Sequence, residues 1–519
     1  MKFALMSCFV ILALQLLGQH NQLPQHSFFK DQIFANKLEK PYNGGSFFPI
    51  TENEYNLIPL ILDSTKQYYD FTQTLFKKHL IELKGQDYYL TISPMFDFSR
   101  GKDDQDTNNR SLFQNTRGFH VEGDLFNNFS FSTSFYENQG RYTEYESDYY
   151  SSLGELYPKP DSSYQTQNAV IPGGGRTKPF KGDGFDYAYA IGVMTFMPVK
   201  QLTLSAGNNM HFVGDGHRSL LLSDNSYGAP YLRADWKITP KWRFSYMRSR
   251  LLNLLRRPAS GSVESYYESK GYSVNYLTYL PSEFIHISLF EGSVWNRGDS
   301  ITSQPSHPLF YNPIPVLSGV LLDDPHEISS LLGINFGAQI AQSHRVYGQL
   351  AVNNFQFDKM AFQLGYRGYN FFGLNDFMIQ LEYNNVPDKF YVSENPRLNY
   401  AQFNLPLAHV KGNGFQEFIL RSNYEYKRIY LDVSAVFYFL EEYSSISLLP
   451  SHSVSITAIP ASHSIQNTTI EFGYRFNRKV NLTLFGAATL RSTSEKTITG
   501  TRLFTIGLRT SLLNHYNDF

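Results

Sequence analysis

Gly207-Asn-Asn-Met-His-Phe-Val-Gly-Asp-Gly-His-Arg-Ser-Leu-Leu-Leu-Ser-Asp-Asn-Ser-Tyr-Gly-Ala-Pro-Tyr-Leu-Arg-Ala-Asp-Trp236 is the stretch on which the fold turns. It reads as a strand, an exposed Gly-rich loop and a second strand. Its meaning depends on whether those strands belong to a soluble sheet or a membrane barrel, and the rest of the chain decides between them.

From Asp87 onward the hydrophobic period is two. Phe185, Tyr187, Tyr189, Ile191 and Val193 alternate with Asp186, Ala188, Ala190, Gly192 and Met194. Phe377, Ile379, Leu381 and Tyr383 alternate with Met378, Gln380, Glu382 and Asn384, and Ile429 to Phe439 and Phe504 to Leu512 do the same. One face is apolar and the other polar or small. In Phe418, Leu420, Tyr424 and Tyr426 the apolar face alternates with Glu417, Arg421 and Glu425, which are expected to point inward. A soluble sandwich also alternates. Its strands run to about 5 or 6 residues, whereas these run about 10 to 14, nearer the length of a tilted membrane strand.

The connections separate into two kinds. Tight turns are expected at 127–128, 199–200, 239–241, 281–282, 342–343, 372–375, 427–428 and 477–479. Between them lie mostly longer polar connections, at 101–116, 139–183, 213–227, 253–270, 298–327, 387–414, 443–464 and 493–500, with a short junction near Asp358-Lys359. Short turns at one end and long loops at the other are the pattern of an outer-membrane barrel. The fold expected is an all-β transmembrane barrel of about 18 antiparallel strands with a small N-terminal periplasmic α-helical segment. The terminal Phe519 resembles the aromatic ending of such barrels, although Asn514 to Asp518 interrupt the alternation.

The chain is expected to divide into a signal peptide (1–18), a periplasmic helical segment (19–86) and the barrel (87–519). Lys2 followed by the apolar run Phe3–Leu17 suits a secretory signal and is too short for a membrane span. Thr51-Glu52-Asn53-Glu54 has the form of a capping box. The spacing of Tyr68, Phe71, Leu75, Phe76, Leu80 and Leu83 predicts a helix over Ser64–Leu83, ending at Gly85.

Cys8 is the only cysteine, so a chain cut after the signal has no disulfide and no thiolate chemistry. The net charge of −1 argues against a nucleic-acid partner. Aromatic content is high, with 37 Tyr and 43 Phe. Outer-membrane lipid and lipopolysaccharide are the partners such a surface implies.

No cofactor, metal site or catalytic residue is assigned, and the chain is not expected to be an enzyme. Asp104-x-Asp106-x-Asn108 begins like a calcium loop, but Asn109 stands where the turn glycine belongs and Asn115 where the bidentate Glu belongs. Pro172-Gly173-Gly174-Gly175-Arg176 lacks the Gly-Lys-Ser/Thr ending of a phosphate loop. His211 and His217 flank Gly214-Asp215-Gly216 without zinc spacing. Ser219 and Ser223 have no nucleophile elbow.

The stretch His211-Phe212-Val213-Gly214-Asp215-Gly216, then Ser219-Leu220-Leu221-Leu222-Ser223, then Pro230, resembles the core motif of the Wzi-like capsule-assembly outer-membrane proteins. Val213 and Asp215 depart from the Trp and Pro often found there. The resemblance implies an 18-stranded barrel with an N-terminal helical bundle. Phe28-Phe29-Lys30-Asp31-Gln32 and the strand Tyr88–Arg100 look most like the RemB-type gliding-motility-associated members of the Bacteroidetes. It also implies a protein of the cell outer membrane that binds or organises surface polysaccharide, with gliding or adhesion components as further partners. His211, Gly214, Asp215, Gly216, His217, Arg218 and Ser219 are then expected to form a structural or polysaccharide-binding loop on the extracellular side, between the fifth and sixth strands, where Gly214, Gly216 and Gly228 let the backbone turn sharply, inward over the barrel mouth. Tyr142 to Tyr164 would suit sugar stacking. The alternative is a porin or transporter for small polar solutes.

Overall fold

A computed structural model describes residues 21–39, 46–51, 70–126, 128–158, 164–256, 267–298, 302–322, 324–440, 463–494 and 500–519. The expected signal segment with Cys8, and most of the capping box and of the first part of the predicted 64–83 helix, lie outside them.

The alternating segments pair in chain order. Strands β1 (Tyr88–Asp103), β2 (Leu112–Leu125), β3 (Phe129–Arg141), β4 (Gly184–Val199), β5 (Leu202–Asn209) and β6 (Ala229–Lys237) form the first third of the wall. They are followed by β7 (Trp242–Arg256), β8 (Tyr267–Ser282), β9 (Ile285–Trp295), β10 (Ile328–Ala341), β11 (His344–Asn353) and β12 (Met360–Tyr369). The last third is β13 (Phe377–Val386), β14 (Phe415–Tyr426), β15 (Ile429–Leu440), β16 (His463–Asn477), β17 (Leu482–Thr493) and β18 (Thr501–Arg509). Every neighbour is antiparallel, and β18 returns to β1, from Leu503 opposite Asp103 to Arg509 opposite Asp97, closing the barrel. Closure leaves no long free edge. Short turns and long loops fall at opposite ends, as the spacing predicted. No helix among the described residues is long and apolar enough to cross a membrane.

The wall is apolar outside and polar inside. On β14, Glu417, Arg421 and Glu425 are buried, whereas Phe418, Leu420 and Tyr426 are exposed, as expected. On β15, Ile429, Leu431, Phe437 and Phe439 are exposed. Strand β4 inverts the expectation: its aromatic face, with Tyr187 and Tyr189, points into the lumen and Met194 and Phe196 point out. The reason is local. Tyr187 and Tyr189 pack in one buried cluster with Tyr150 of the helix Glu144–Ser152 and with Phe519, so the lumen here is itself apolar.

The predicted helix Ser64–Leu83 is corrected. Its described part is helical only over Asp70–Phe76, and Ile81–Lys84 is a strand paired antiparallel with Tyr89–Ile92. Tertiary pairing overrides helical spacing here. Strand β18 stops opposite Asp97, so the first half of β1 would otherwise present an open edge, and Ile81–Lys84 covers part of it. Thr51 makes a bridge with Gln22, and the rest of its capping box, 52–54, lies outside the described residues.

The last wall strand ends at Arg509, and Phe519 lies beyond it. After Arg509 the chain leaves the wall at Thr510, whose N–H donates to the Phe96 carbonyl over 2.7 Å, and runs into the lumen. There Phe519 is buried against Tyr149, with ring centroids 4.0 Å apart.

Candidate functional site: a lumen occupied by its own chain

Three segments meet inside the barrel. The first is the N-terminal run, with helix α1 (Ser27–Glu39) and the pair Phe47–Phe48. The second is the Gly-rich stretch 210–228, and the third is the tail 510–519.

The Gly-rich stretch was expected on the long-loop side, with Gly214, Gly216 and Gly228 letting its backbone turn inward over the barrel mouth. It joins β5 to β6 as predicted and folds inward, deep enough that Asp215, Arg218, Ser219, Leu220, Leu221 and Leu222 are all buried. Strands β5 and β6 are short, with 8 and 9 residues, so the connection leaves the wall part-way up rather than above it. Phe212–Val213 pairs antiparallel with Phe47–Phe48, and the Gly214 N–H donates to the Ser46 carbonyl over 2.8 Å. Gly214 has φ +129, a conformation open to glycine, and a Cβ there would run into Gln349 Nε2.

Many polar groups of the stretch are matched by inward residues of the wall, by the N-terminal run or by the stretch itself. Asp215 accepts from Ser46 Oγ and from Arg345, whose Nη2 lies 2.6 Å away, with His286 Nε2 at 3.9 Å. Glu382 accepts from the backbone N–H groups of His217 (2.7 Å) and Arg218 (3.0 Å). Gln349 accepts from Leu220 N–H at 2.7 Å and donates to the Val213 carbonyl at 2.8 Å. The Ser219 hydroxyl donates to Val213 O at 2.6 Å and accepts from the N–H groups of Leu221 and Leu222. That hydroxyl is committed to turn geometry, and no His–Asp relay lies beside it among the described residues. A buried backbone away from water needs this degree of matching.

Arg218 joins the second segment to the third. Its guanidinium reaches Glu417 Oε1 at 3.2 Å and Asp518 Oδ1 at 2.7 Å. Burial works against its charge, but Asp518, Tyr438 and Glu417 outweigh burial and hold its pKa well above the ordinary arginine value. Asp518 is likewise held below the usual carboxylate range: Arg218 and His217 overcome the effect of burial. Asp224 ties all three segments together, accepting from Lys30 Nζ at 3.2 Å, Asn514 Nδ2 at 2.9 Å and the Tyr516 hydroxyl at 2.7 Å. Helix α1 is fixed to the wall through Asp31, 3.3 Å from Arg421 and 3.5 Å from Arg367.

His211 and His217 do not converge. His211 packs edge-on against Tyr231, and its pKa is lowered well below the ordinary value by burial and then by Arg233. His217 lies 3.8 Å from Asp518. Among the described residues no group of His, Cys, Asp and Glu is arranged to hold a metal ion. In the outer loop 104–111, Asp106 accepts from Arg110 and from the Asn108 N–H, so its oxygens serve the turn. Tyr142, Tyr145, Tyr149 and Tyr150, read as sugar-stacking candidates, pack among themselves and against Phe519 instead.

A polar cavity of about 210 Å³ remains between α1, the tail and the wall strands β14–β18. It is lined among others by Asp31, His217, Asn467, Thr483, Arg509 and Asp518. Asn467 Nδ2, Thr483 Oγ1 and Arg509 Nε have no hydrogen-bond partner among the described residues, which suits a hydrated cavity.

Sequence reasoning found the loop but not its receptors. Arg345, Gln349, Glu382 and Asp518 were not singled out. The available signal was the inward phase of each polar wall residue in its strand, and that phase does not say which loop it meets.

The class these observations define is a closed 18-stranded antiparallel barrel with an apolar outer belt and an interior occupied by its own chain. No protein-family model matches the sequence, and no curated protein matches it. Among solved structures the chain is similar to Wzi of Escherichia coli, an outer membrane protein involved in group 1 capsule assembly and described as a carbohydrate-binding β-barrel. That likeness has a TM-score of 0.57 at 10% identity and covers 94% of this chain and 98% of that one. The outer membrane protein OpdK of Pseudomonas aeruginosa gives a TM-score of 0.42 at 10% identity, covering 82% of this chain and 98% of that one. A BenF-like porin from Pseudomonas fluorescens Pf-5 gives 0.41 at 9% identity, covering 81% and 98%. At these identities the likeness is one of fold.

Proposed function

We propose that this chain is a bacterial outer-membrane barrel that binds or organises cell-surface polysaccharide and does not serve as a diffusion pore. The observation that carries the reading is the occupied lumen: Arg218, Asp224 and Asp518 lock loop, N-terminus and tail together inside the wall. A porin keeps a water-filled channel. The outward belt supports residence in a bilayer, and the fold shared with the carbohydrate-binding Wzi supports the polysaccharide reading. In this reading residues 1–18 export the chain, the short turns face the periplasm and the long loops face outward. The stretch His211, Gly214, Asp215, Gly216, His217, Arg218 and Ser219 acts as the internal brace of the barrel, not as the sugar contact.

Polysaccharide held at the surface would serve capsule assembly, adhesion or gliding. The test is deletion of the gene in its own bacterium, measuring retained surface polysaccharide and spreading on agar. Reduced retention or altered spreading is expected. Normal retention, adhesion and spreading together would count against the proposal. Non-enzymatic action is part of the reading, because the Ser219 hydroxyl is committed to three backbone groups.

A further inference from the structure

The connection 298–327 was read as a polar outer loop. Its sequence carries no Asp, Glu, Lys or Arg from Ser300 to Leu322. Its stretch 302–322 does not stand above the barrel but lies down its outer wall.

The phase of β7 and β8 shows the side it covers. Met247 and Leu251 belong to the lumen core with Val213 and Leu220, and Tyr276 packs against Phe47 inside. Arg248, between the first two, therefore faces out, and its cross-strand partner Leu232 is 66% exposed. By the same register Asn275 and Glu291 face out beside Tyr246. An outward Arg, Asn and Glu would interrupt the belt, yet all three are buried.

What buries them is this connection. Arg248 donates to the carbonyls of Phe310 and Asn312, the latter at 2.6 Å. Asn275 Nδ2 donates to Glu291 at 2.9 Å, and Glu291 accepts from the Val316 N–H at 3.1 Å. The Tyr246 hydroxyl donates to the Tyr311 carbonyl at 3.0 Å. Phe310 docks edge-on against Trp295, and Gly271 leaves room for it. The polar side of the connection is thus spent on the wall. Its other side shows Tyr311, Ile314, Val320 and Leu321, each between 56% and 60% exposed.

We propose that residues 302–322 form a flap immersed in the bilayer, which shields the Arg248–Asn275–Glu291 rung and presents Tyr311, Ile314, Val320 and Leu321 to lipid acyl chains at the long-loop end. Lipid is the occupant because the flap continues the belt made by Leu232, Ile287 and Ile334, carries no charge, and turns the Phe310, Tyr311 and Asn312 carbonyls and the Val316 N–H onto the wall, away from hydrocarbon. The inference rests on the membrane reading above.

The test uses the full chain with Cys8→Ser, carrying a single cysteine at Val320 or Leu321 in the flap, or at Leu232 in the belt as reference. Each is labelled with a polarity-sensitive fluorophore and reconstituted in phosphatidylcholine vesicles with doxyl-labelled lipid or aqueous iodide. Flap labels should be quenched by doxyl lipid as strongly as the label at 232, and iodide should have little effect. Flap labels quenched by iodide, or shielded from both quenchers by a second copy or another protein, would overturn the flap while leaving the barrel reading intact. Failure of doxyl lipid to quench the label at 232 would overturn the membrane reading itself.

Discussion

Arg218 Nη2 lies 2.7 Å from Asp518 Oδ1, across 300 residues of chain. This pair, with Glu417 at 3.2 Å from Arg218 Nε, fastens the lumen stretch to both the wall and the tail. Arg218→Met would leave Glu417 and Asp518 without their shared cation. Breaking a buried pair from one side costs about 3–5 kcal/mol. Asp518→Asn keeps an acceptor for Arg218 and leaves Glu417 as its counter-charge, so the loss should be about 1 kcal/mol, the scale of one hydrogen bond. Urea unfolding of the detergent-solubilised protein compares the two, and equal losses would contradict the arrangement.

Gly214 and Gly216 are predicted to resist substitution for different reasons. Gly214→Ala meets both φ +129 and the Gln349 side chain. Gly216→Ala places a Cβ 2.6 Å from the Arg218 carbonyl and 2.7 Å from Glu382 Oε2. Each should lose roughly 1–3 kcal/mol through strain or overpacking. Gly486→Ala, whose nearest neighbour would be 4.0 Å away, is the control and should unfold as wild type does. The urea midpoints of the three variants check this.

Much of the barrel was legible because alternation is local. Short turns, long loops and the inward phase of Glu417, Arg421 and Glu425 all followed from period and spacing. What failed was long-range. The run Tyr68 to Leu83 has helical spacing, but Ile81–Lys84 answers to the open edge of β1. The face of β4 is inverted because Tyr187 and Tyr189 meet Tyr150 and Phe519, whose approach no local pattern records. The uncharged run 300–322 was visible in the sequence, and its docking on the outward Arg248 was not.

Acid should loosen the interior. Burial lowers His26 well below the ordinary histidine value, with Arg509 and Arg475 adding to it, and burial with Arg233 does the same to His211. Both are neutral in the folded chain, while in the unfolded chain they titrate near the ordinary value of about 6.5. Below that pH the unfolded state binds more protons, so stability is full above about 6.5 and falls as pH drops toward the folded pKa values. The urea midpoint should decline from pH 7 to pH 5, and His211→Gln should flatten the decline. An unchanged slope in that variant would remove His211 from the account.

Single-channel recording in planar bilayers bears most directly on the occupied lumen. The full-length barrel is predicted to insert without stable conductance steps, while a variant lacking 212–222 and 510–519 should give them. Sustained open channels from the wild-type protein would contradict the account and favour a pore for small polar solutes.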